Sequence, residues 1–188
     1  KIADMTVKMV SLQPDWKDAA KGFPYYLRFD DEYEFVKYVE PQRGERTIYK
    51  VQGDEIRQPF FSIGYPVAFM GLCYQVFGDE RYLSTAEELL EYALRINKDV
   101  RVNQWSHKLM WGASVIAGIN NKAEYWRLVY DVANSIMENQ CLRTGMVSNV
   151  TDQSAEIAFW TPIIAMNIAA AKRKFGKINI EGGFKSKL

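Results

Sequence analysis

The chain has 188 residues, with 24 basic and 23 acidic side chains, so its net charge at pH 7 is only +1. A nearly neutral chain has no field that would attract nucleic acid or an acidic membrane surface. Hydrophobic residues make up 48% of the sequence, which is enough to build the core of one domain of this length. No apolar run approaches the ~20 residues that a membrane-spanning helix needs.

The N-terminal third, residues 1–57, is predicted to be an irregular cap or lid. Apolar residues at helical spacing predict a short helix that Pro14 ends. Aromatic and acidic residues then crowd the stretch 23–39, and Gly44 and Gly53 flank a strand-like TIYKV that resembles a small hairpin. A long irregular segment in a helical protein is typically a lid or a loop that lines a site.

The rest of the chain, 58–175, is predicted to be helical. Gly78 ends the first of these helices, and Pro162 is expected to kink or restart the last one. The last helix is acidic at its start and basic at its end, which suits the helix dipole. The five predicted helices cover about 60–77, 80–96, 106–119, 122–139 and 154–175.

This region contains two copies of one helical hairpin as a sequence repeat. In each copy an apolar helix precedes an amphipathic one, which predicts alternating inner and outer layers. We therefore expect an all-α, α/α-toroid-like half barrel of stacked hairpins in a single domain, 1–188, completed by a homo-oligomer or a second chain. A shift of 43 residues superposes Leu72 on Val115, Gly78 on Asn121, Tyr82 on Tyr125, Leu89 on Val132 and Ala93 on Ile136.

The two cysteines indicate whether the protein resides in a reducing or an oxidising compartment. Cys73 lies within a predicted helix and Cys141 just after another, and both are predicted to be buried free thiols. Free thiols are typical of a reducing compartment, so we expect a cytoplasmic protein.

Over residues 58–160 the pattern GxPxAF, GDERYLxxAExLLxYAL and SHKxxWGA resembles the repeats of terpenoid cyclases and protein prenyltransferases, specifically the squalene-cyclase-like proteins. Gln140 and Gly145 fit the end of that repeat, but Met146 and Val147 stand where Trp or Phe is expected. The resemblance implies a deep aromatic cavity in which a polyene folds and cyclises. The DxDD acid motif is absent, and the zinc ligands of the prenyltransferases have no match, because His107 is the only histidine.

A first candidate site is the start of the third predicted helix. His107 there could donate a proton, with Lys108 beside it and the indoles of Trp105 and Trp111 stabilising positive charge. The alternative is a cluster that only caps and packs the helix.

A second candidate group opens the last helix. Glu156, or Asp152 one turn earlier, could act as general acid or base, with Trp160 on the same face; the alternative is carboxylates that only suit the helix dipole. Tyr26, Tyr65 and Phe69 could line an apolar cavity or simply pack in the core.

These observations predict a cofactor-independent cyclase or isomerase that folds a hydrophobic polyene, terpenoid or polyketide-like. We expect no cofactor and no metal. The acidic run 30–34 is interpreted as a surface turn rather than as a magnesium-binding motif. A carbohydrate-active six-hairpin enzyme is one alternative, with Trp105 and Trp111 stacking on sugar rings. A non-catalytic helical-repeat scaffold is the other, since an open half barrel exposes its inner helices.

Overall fold

The computed structural model describes residues 1–13, 16–18, 22–24, 28–29, 35–36, 50–141, 143–144 and 151–178. This part of the chain is all-α, as the sequence predicts, with only two-residue strands beside the helices. The helices are α1 Ile2–Ser11, α2 Phe61–Phe77, α3 Glu80–Arg95, α4 His107–Asn120, α5 Ala123–Glu138 and α6 Thr151–Phe175, and 3₁₀ turns cover Lys98–Arg101 and Gln104–Ser106. The strands are β1 Phe23–Pro24, β2 Arg28–Phe29, β3 Phe35–Val36 and β4 Lys50–Val51.

Helix α4 lies at the centre of the fold. It packs against α2 on one side and α6 on the other, while α5 packs along it and α3 packs along α2. Almost every residue from His107 to Ala117 is buried. The amphipathic helices α3 and α5 turn residues such as Leu89 and Val132 inward, and both of these side chains are fully buried. Helix α4 is thus an inner helix as predicted, and α3 and α5 are outer helices, but α2 leaves Leu72, Val76 and Phe77 exposed; the extension of the hairpins into a toroid stays a prediction.

The two hairpin turns are conformationally equivalent. Helix α2 ends at Gly78 with φ 69°, and α4 ends at Asn121 with φ 57°, so both turns use a left-handed residue. Glycine and asparagine are the residues that tolerate this conformation best, which is why the two align in the sequence repeat. After Gly78, the Asp79 carboxylate caps α3 by accepting a hydrogen bond from the amide of Arg81 at 3.0 Å.

Helices α2 and α4 meet backbone to backbone at two glycines. A Cβ added to Gly64 would overlap the main chain of Lys108 and Leu109, and one added to Gly112 would lie 2.7 Å from the carbonyl oxygen of Gly64. No larger residue fits at this crossing without displacing a helix. Gly64 lies between Phe61 and Tyr65 in the sequence. Its close contact with the backbone of Lys108 therefore brings the side chains of Phe61 and Tyr65 next to Lys108.

The N-terminal segment is anchored on α3. β1 pairs antiparallel with β4, and β2 pairs antiparallel with β3. The rings of Trp16, Phe23 and Tyr92 form a buried cluster with centroids 5.3–6.1 Å apart, and the hydroxyl of Tyr92 donates to the carbonyl of Val51 at 3.3 Å. The sequence predicted a local hairpin around β4; instead β4 pairs with β1, and 41–49 lie outside the described residues.

Two further expectations need correction. Helix α6 runs through Pro162 without a restart; the other expectation, a kink at Pro162, stays a prediction. Both cysteines are free, but Cys73 is only partly buried and Cys141 is exposed, because Cys141 lies beyond the end of α5. Within the described ranges, none of the helices is long and apolar enough to cross a membrane.

Candidate functional site

The start of α4 holds two buried polar side chains. The 3₁₀ turn Gln104–Ser106 leads directly into α4, and Asn103 caps that turn by accepting a hydrogen bond from the amide of Trp105 at 2.9 Å. His107 and Lys108 follow and are only 2% and 8% exposed. Buried polar side chains of this kind need partners.

Helix α6 supplies the partner. Oε2 of Glu156 lies 3.1 Å from Nε2 of His107 and 2.8 Å from Nζ of Lys108, so one carboxylate oxygen meets both side chains. The Glu156 side chain is 49% exposed, whereas the two side chains on α4 are buried. The cluster therefore has a closed side formed by α4 and an open side at Glu156 that a small molecule could reach.

The charge on Glu156 is stabilised by its neighbours. The hydrogen bond from Lys108 lowers the pKa of Glu156 below its ordinary value, burial opposes this, and His107 contributes in the lowering direction. Glu156 is therefore a carboxylate at neutral pH and can only accept hydrogen bonds. It follows that the proton in the contact with His107 sits on Nε2 of the imidazole.

Lys108 keeps its charge although it is buried. Burial by itself lowers the pKa of Lys108, but hydrogen bonds with Glu156 and Tyr65 outweigh burial, and the pKa lies above its ordinary value. Nζ also lies 5.2 Å from the ring centroid of Phe61 and 4.9 Å from that of Tyr65, within the range of cation–π attraction. Lys108 thus links the carboxylate on α6 to two aromatic rings on α2.

The same two rings line a cleft between α1, β1 and α2. Its volume is about 310 Å³, and it is bordered mainly by apolar and aromatic side chains. Its lining residues are Thr6, Met9, Phe23, Phe61, Ser62, Tyr65 and Pro66. Phe61 and Tyr65 contact Lys108 and also border the cleft, so these two rings lie between the polar cluster and the cleft.

The predicted tryptophans mainly pack on other rings. Trp111 and Trp160 stack with centroids 4.2 Å apart and an interplanar angle of 24°, joining α4 to α6 next to Glu156. Trp105 packs edge-on against Phe61 at 6.5 Å. Its indole nitrogen is buried and, among the described residues, makes no hydrogen bond; the same holds for the hydroxyl of Ser106.

The structure brings together most of the predicted site residues. His107, Lys108 and Glu156 are in contact, and Tyr65 lies over Lys108. Phe69, one turn after Tyr65 on α2, is half-buried against the core. Asp152 lies in the first turn of α6, but its side chain, like all of Tyr26 and the acidic run 30–34, lies outside the described residues.

Tyr65 is predicted from the sequence as a cavity-lining residue, whereas Phe61 and the position of the cleft between α1, β1 and α2 are not predicted. Phe61 stands four residues before Tyr65, so helical spacing already places the two rings on one face of α2. No sequence pattern indicated that Thr6 and Met9 line the cleft, because their position there depends on how α1 packs against α2. Within the described ranges, no three His, Cys, Asp or Glu side chains come close enough to hold a metal ion.

The sequence matches no protein-family model, no curated protein and no solved structure. The likeness to squalene-cyclase-like repeats therefore stays a prediction. The fold and the site by themselves define an all-α protein of stacked hairpins, with a carboxylate held by lysine and histidine beside an aromatic cleft.

Proposed function

We propose that the protein is a cofactor-independent isomerase or cyclase that acts on a hydrophobic small molecule of terpenoid or polyketide type. One observation carries the proposal. Oε2 of Glu156 is hydrogen bonded by His107 and Lys108, and the ammonium of Lys108 lies against two rings that line an apolar cleft. The carboxylate proposed as catalytic and the proposed binding surface are thereby linked through Lys108 and these two rings.

In this proposal Glu156 is the general base. Its carboxylate takes a proton from an activated carbon of the substrate, the electron pair shifts along the conjugated system, and the proton returns to a different carbon. The substrate is neither oxidised nor reduced, so no cofactor is needed. His107 and Lys108 act as positioning residues, because they hold the carboxylate ionised and fixed in orientation.

The size of the cleft narrows the substrate class. A volume of about 310 Å³ lies at the lower end of the range for small-molecule sites, roughly 300–1,000 Å³. This favours a compact substrate over the long polyene that the family resemblance implies. The aromatic lining favours a molecule with double bonds, whose faces can stack on Phe61 and Tyr65.

Neither alternative gains support at this site. Trp111 and Trp160 stack on each other, so each has one ring face already occupied, and stacking on a sugar would have to use the other face. A repeat scaffold needs no buried ionic cluster next to a cleft. A cytoplasmic location remains part of the proposal.

Binding to the cleft is tested with a fluorescent naphthalene-sulfonate dye. Thr6→Phe adds a ring at the cleft wall and is expected to reduce dye binding at least tenfold. Ser11→Phe adds the same ring on α1 at an exposed position that does not line the cleft, and it is the matched control. Equal dye binding by the two variants would rule out the cleft as the binding site.

Turnover is tested on the molecule that co-purifies with the protein from its natural source, identified by native mass spectrometry. Incubation in D₂O is expected to introduce deuterium at carbon, because the substrate proton passes through Glu156. Glu156→Gln should abolish this exchange, while the exposed Glu124→Gln on α5 should leave it unchanged. Deuterium exchange at the wild-type rate in Glu156→Gln would contradict the proposed role of Glu156 as the general base.

A further inference from the structure

The face of α6 that points away from α4 is apolar over most of its length. Residues at helical spacing on this face are all exposed, and Phe159 and Met166 are 64% and 69% exposed. Large exposed side chains in one row mark an interaction surface more often than isolated ones do. We call this row the α6 outer face; it comprises Ala158, Phe159, Pro162, Ala165, Met166 and Ala169.

The position of α6 in the fold explains why this face needs a partner. Helix α4 is also apolar nearly all round, and α2, α5 and α6 cover it, whereas α2 packs on α3 and α4 and leaves Leu72, Val76 and Phe77 exposed. Within the described part of the chain, α6 packs mainly on α4 through residues such as Ile157, Ile164 and Ala171. The opposite side of α6, roughly 24 Å long from 155 to 170, stays uncovered.

We propose that a second copy of this chain docks on the α6 outer face, with the two α6 helices antiparallel about a twofold axis near Pro162. The row is self-complementary in this arrangement. Phe159 and Met166 lie at almost equal distances on either side of Pro162, so each Phe159 falls opposite Met166 of the other copy. The small side chains of Ala158, Ala165 and Ala169 in the row let the two helices approach closely.

The distribution of charge selects this occupant and this orientation. The sequence places Asp152 in the first turn of α6 and the exposed Lys172 and Arg173 in its last turn, while Glu156 is already paired with Lys108 of the same chain. Arg173 continues the α6 outer face at helical spacing beyond Ala169. In an antiparallel pair each acidic end meets a basic end, whereas a parallel pair would bring like charges together. The same patch serves both copies, as a twofold interface requires.

The expected dimer is weak, because one helix face is smaller than a standard interface. Sedimentation velocity of the wild-type chain over a dilution series should show a reversible monomer–dimer equilibrium. Phe159→Glu should raise the dissociation constant at least tenfold. The matched control is Phe77→Glu at the end of α2, where the side chain is 71% exposed, and this variant should dimerise as the wild type does.

A charge exchange tests the orientation and guards against misfolded variants. The proposed register, which sets Phe159 opposite Met166, also sets residue 173 opposite residue 152 of the other copy. Arg173→Glu should therefore weaken the dimer, and Arg173→Glu combined with Asp152→Arg should restore it, since opposite charges again face each other. Failure of the double variant to recover would overturn the antiparallel arrangement.

Two other outcomes would overturn the proposal itself. A wild-type chain that stays monomeric over the whole dilution series shows that a different segment or a different protein covers this face. A dimer that Phe77→Glu dissociates and Phe159→Glu leaves intact lies on the edge of α2. These measurements do not involve Glu156 chemistry, so they are independent of the proposed enzymatic function.

Discussion

Nζ of Lys108 on α4 lies 2.8 Å from Oε2 of Glu156 on α6, and this ion pair is buried on one side only. Lys108 is 8% exposed, whereas the Glu156 side chain is 49% exposed. The lysine therefore depends on the glutamate for a partner, while water can still solvate the glutamate. Removing one partner has different consequences from removing both, and this asymmetry can be measured.

A double-mutant cycle on this pair should give a coupling free energy of about 1–2 kcal/mol, between the values for exposed and buried pairs. The variants are Lys108→Met, Glu156→Gln and the double variant, and stability is measured by urea unfolding followed by circular dichroism. The surface pair Lys17–Glu88, 3.1 Å apart and exposed on both sides, is the matched control and should show a smaller coupling. A coupling no larger than that of the control would contradict the prediction.

The contribution of Glu156 to stability should depend on pH with a definite sign. The pKa of Glu156 is lowered in the folded protein, so this contribution is complete above the ordinary value of 4.5 and is lost as the pH falls through the folded value. The difference in unfolding free energy between wild type and Glu156→Gln should therefore be constant at neutral pH and shrink below about pH 4.5. Glu124→Gln corrects for the loss of one carboxylate. A difference that grows on acidification would refute the assignment.

The glycine crossing predicts opposite effects of one substitution at two places. Gly64→Ala should destabilise the protein by about 1–3 kcal/mol or more, because the new methyl group meets the backbone of α4, which cannot move aside. Gly118→Ala, also within a helix but with open space around the new Cβ, should stabilise it by about 0.5–1 kcal/mol. Thermal unfolding of the two variants checks both signs.

The equivalence of the two hairpin turns predicts an order of tolerance at Gly78. Gly78→Ala should lower the free energy of unfolding by about 1–2 kcal/mol, because alanine is strained at φ 69°. The space around the residue is open, so no steric clash adds to this strain. Gly78→Asn should cost less, because Asn121 adopts φ 57° at the equivalent turn. If the two variants are equally stable, the turns are not equivalent.

Local features of the sequence were sufficient to predict the helices. The predicted range 60–77 begins one residue before Phe61–Phe77, and 122–139 exceeds Ala123–Glu138 by one residue at each end, because hydrophobic period and turn residues are encoded nearby in the chain. The residues of the candidate site were also named, but as two separate groups. His107 and Lys108 contact Glu156 because of the place at which α6 crosses α4, and no local sequence pattern encodes that place.

Other features escaped prediction for the same reason. Gly64 and Gly112 are ordinary residues of apolar helices until the two helices are packed together. The cleft beside Phe61 combines α1, β1 and α2, and its walls come from segments far apart in sequence. The exposure of Cys141 likewise follows from where α5 ends rather than from the type of residue.

The stack of Trp111 on Trp160 gives the protein a built-in optical signal. Two indoles at 4.2 Å couple their electronic transitions, and the coupling disappears once the rings separate. Their separation requires α6 to leave α4, which also pulls Glu156 away from Lys108. Exciton circular dichroism of the unlabelled chain can thus follow the opening of the polar cluster in real time.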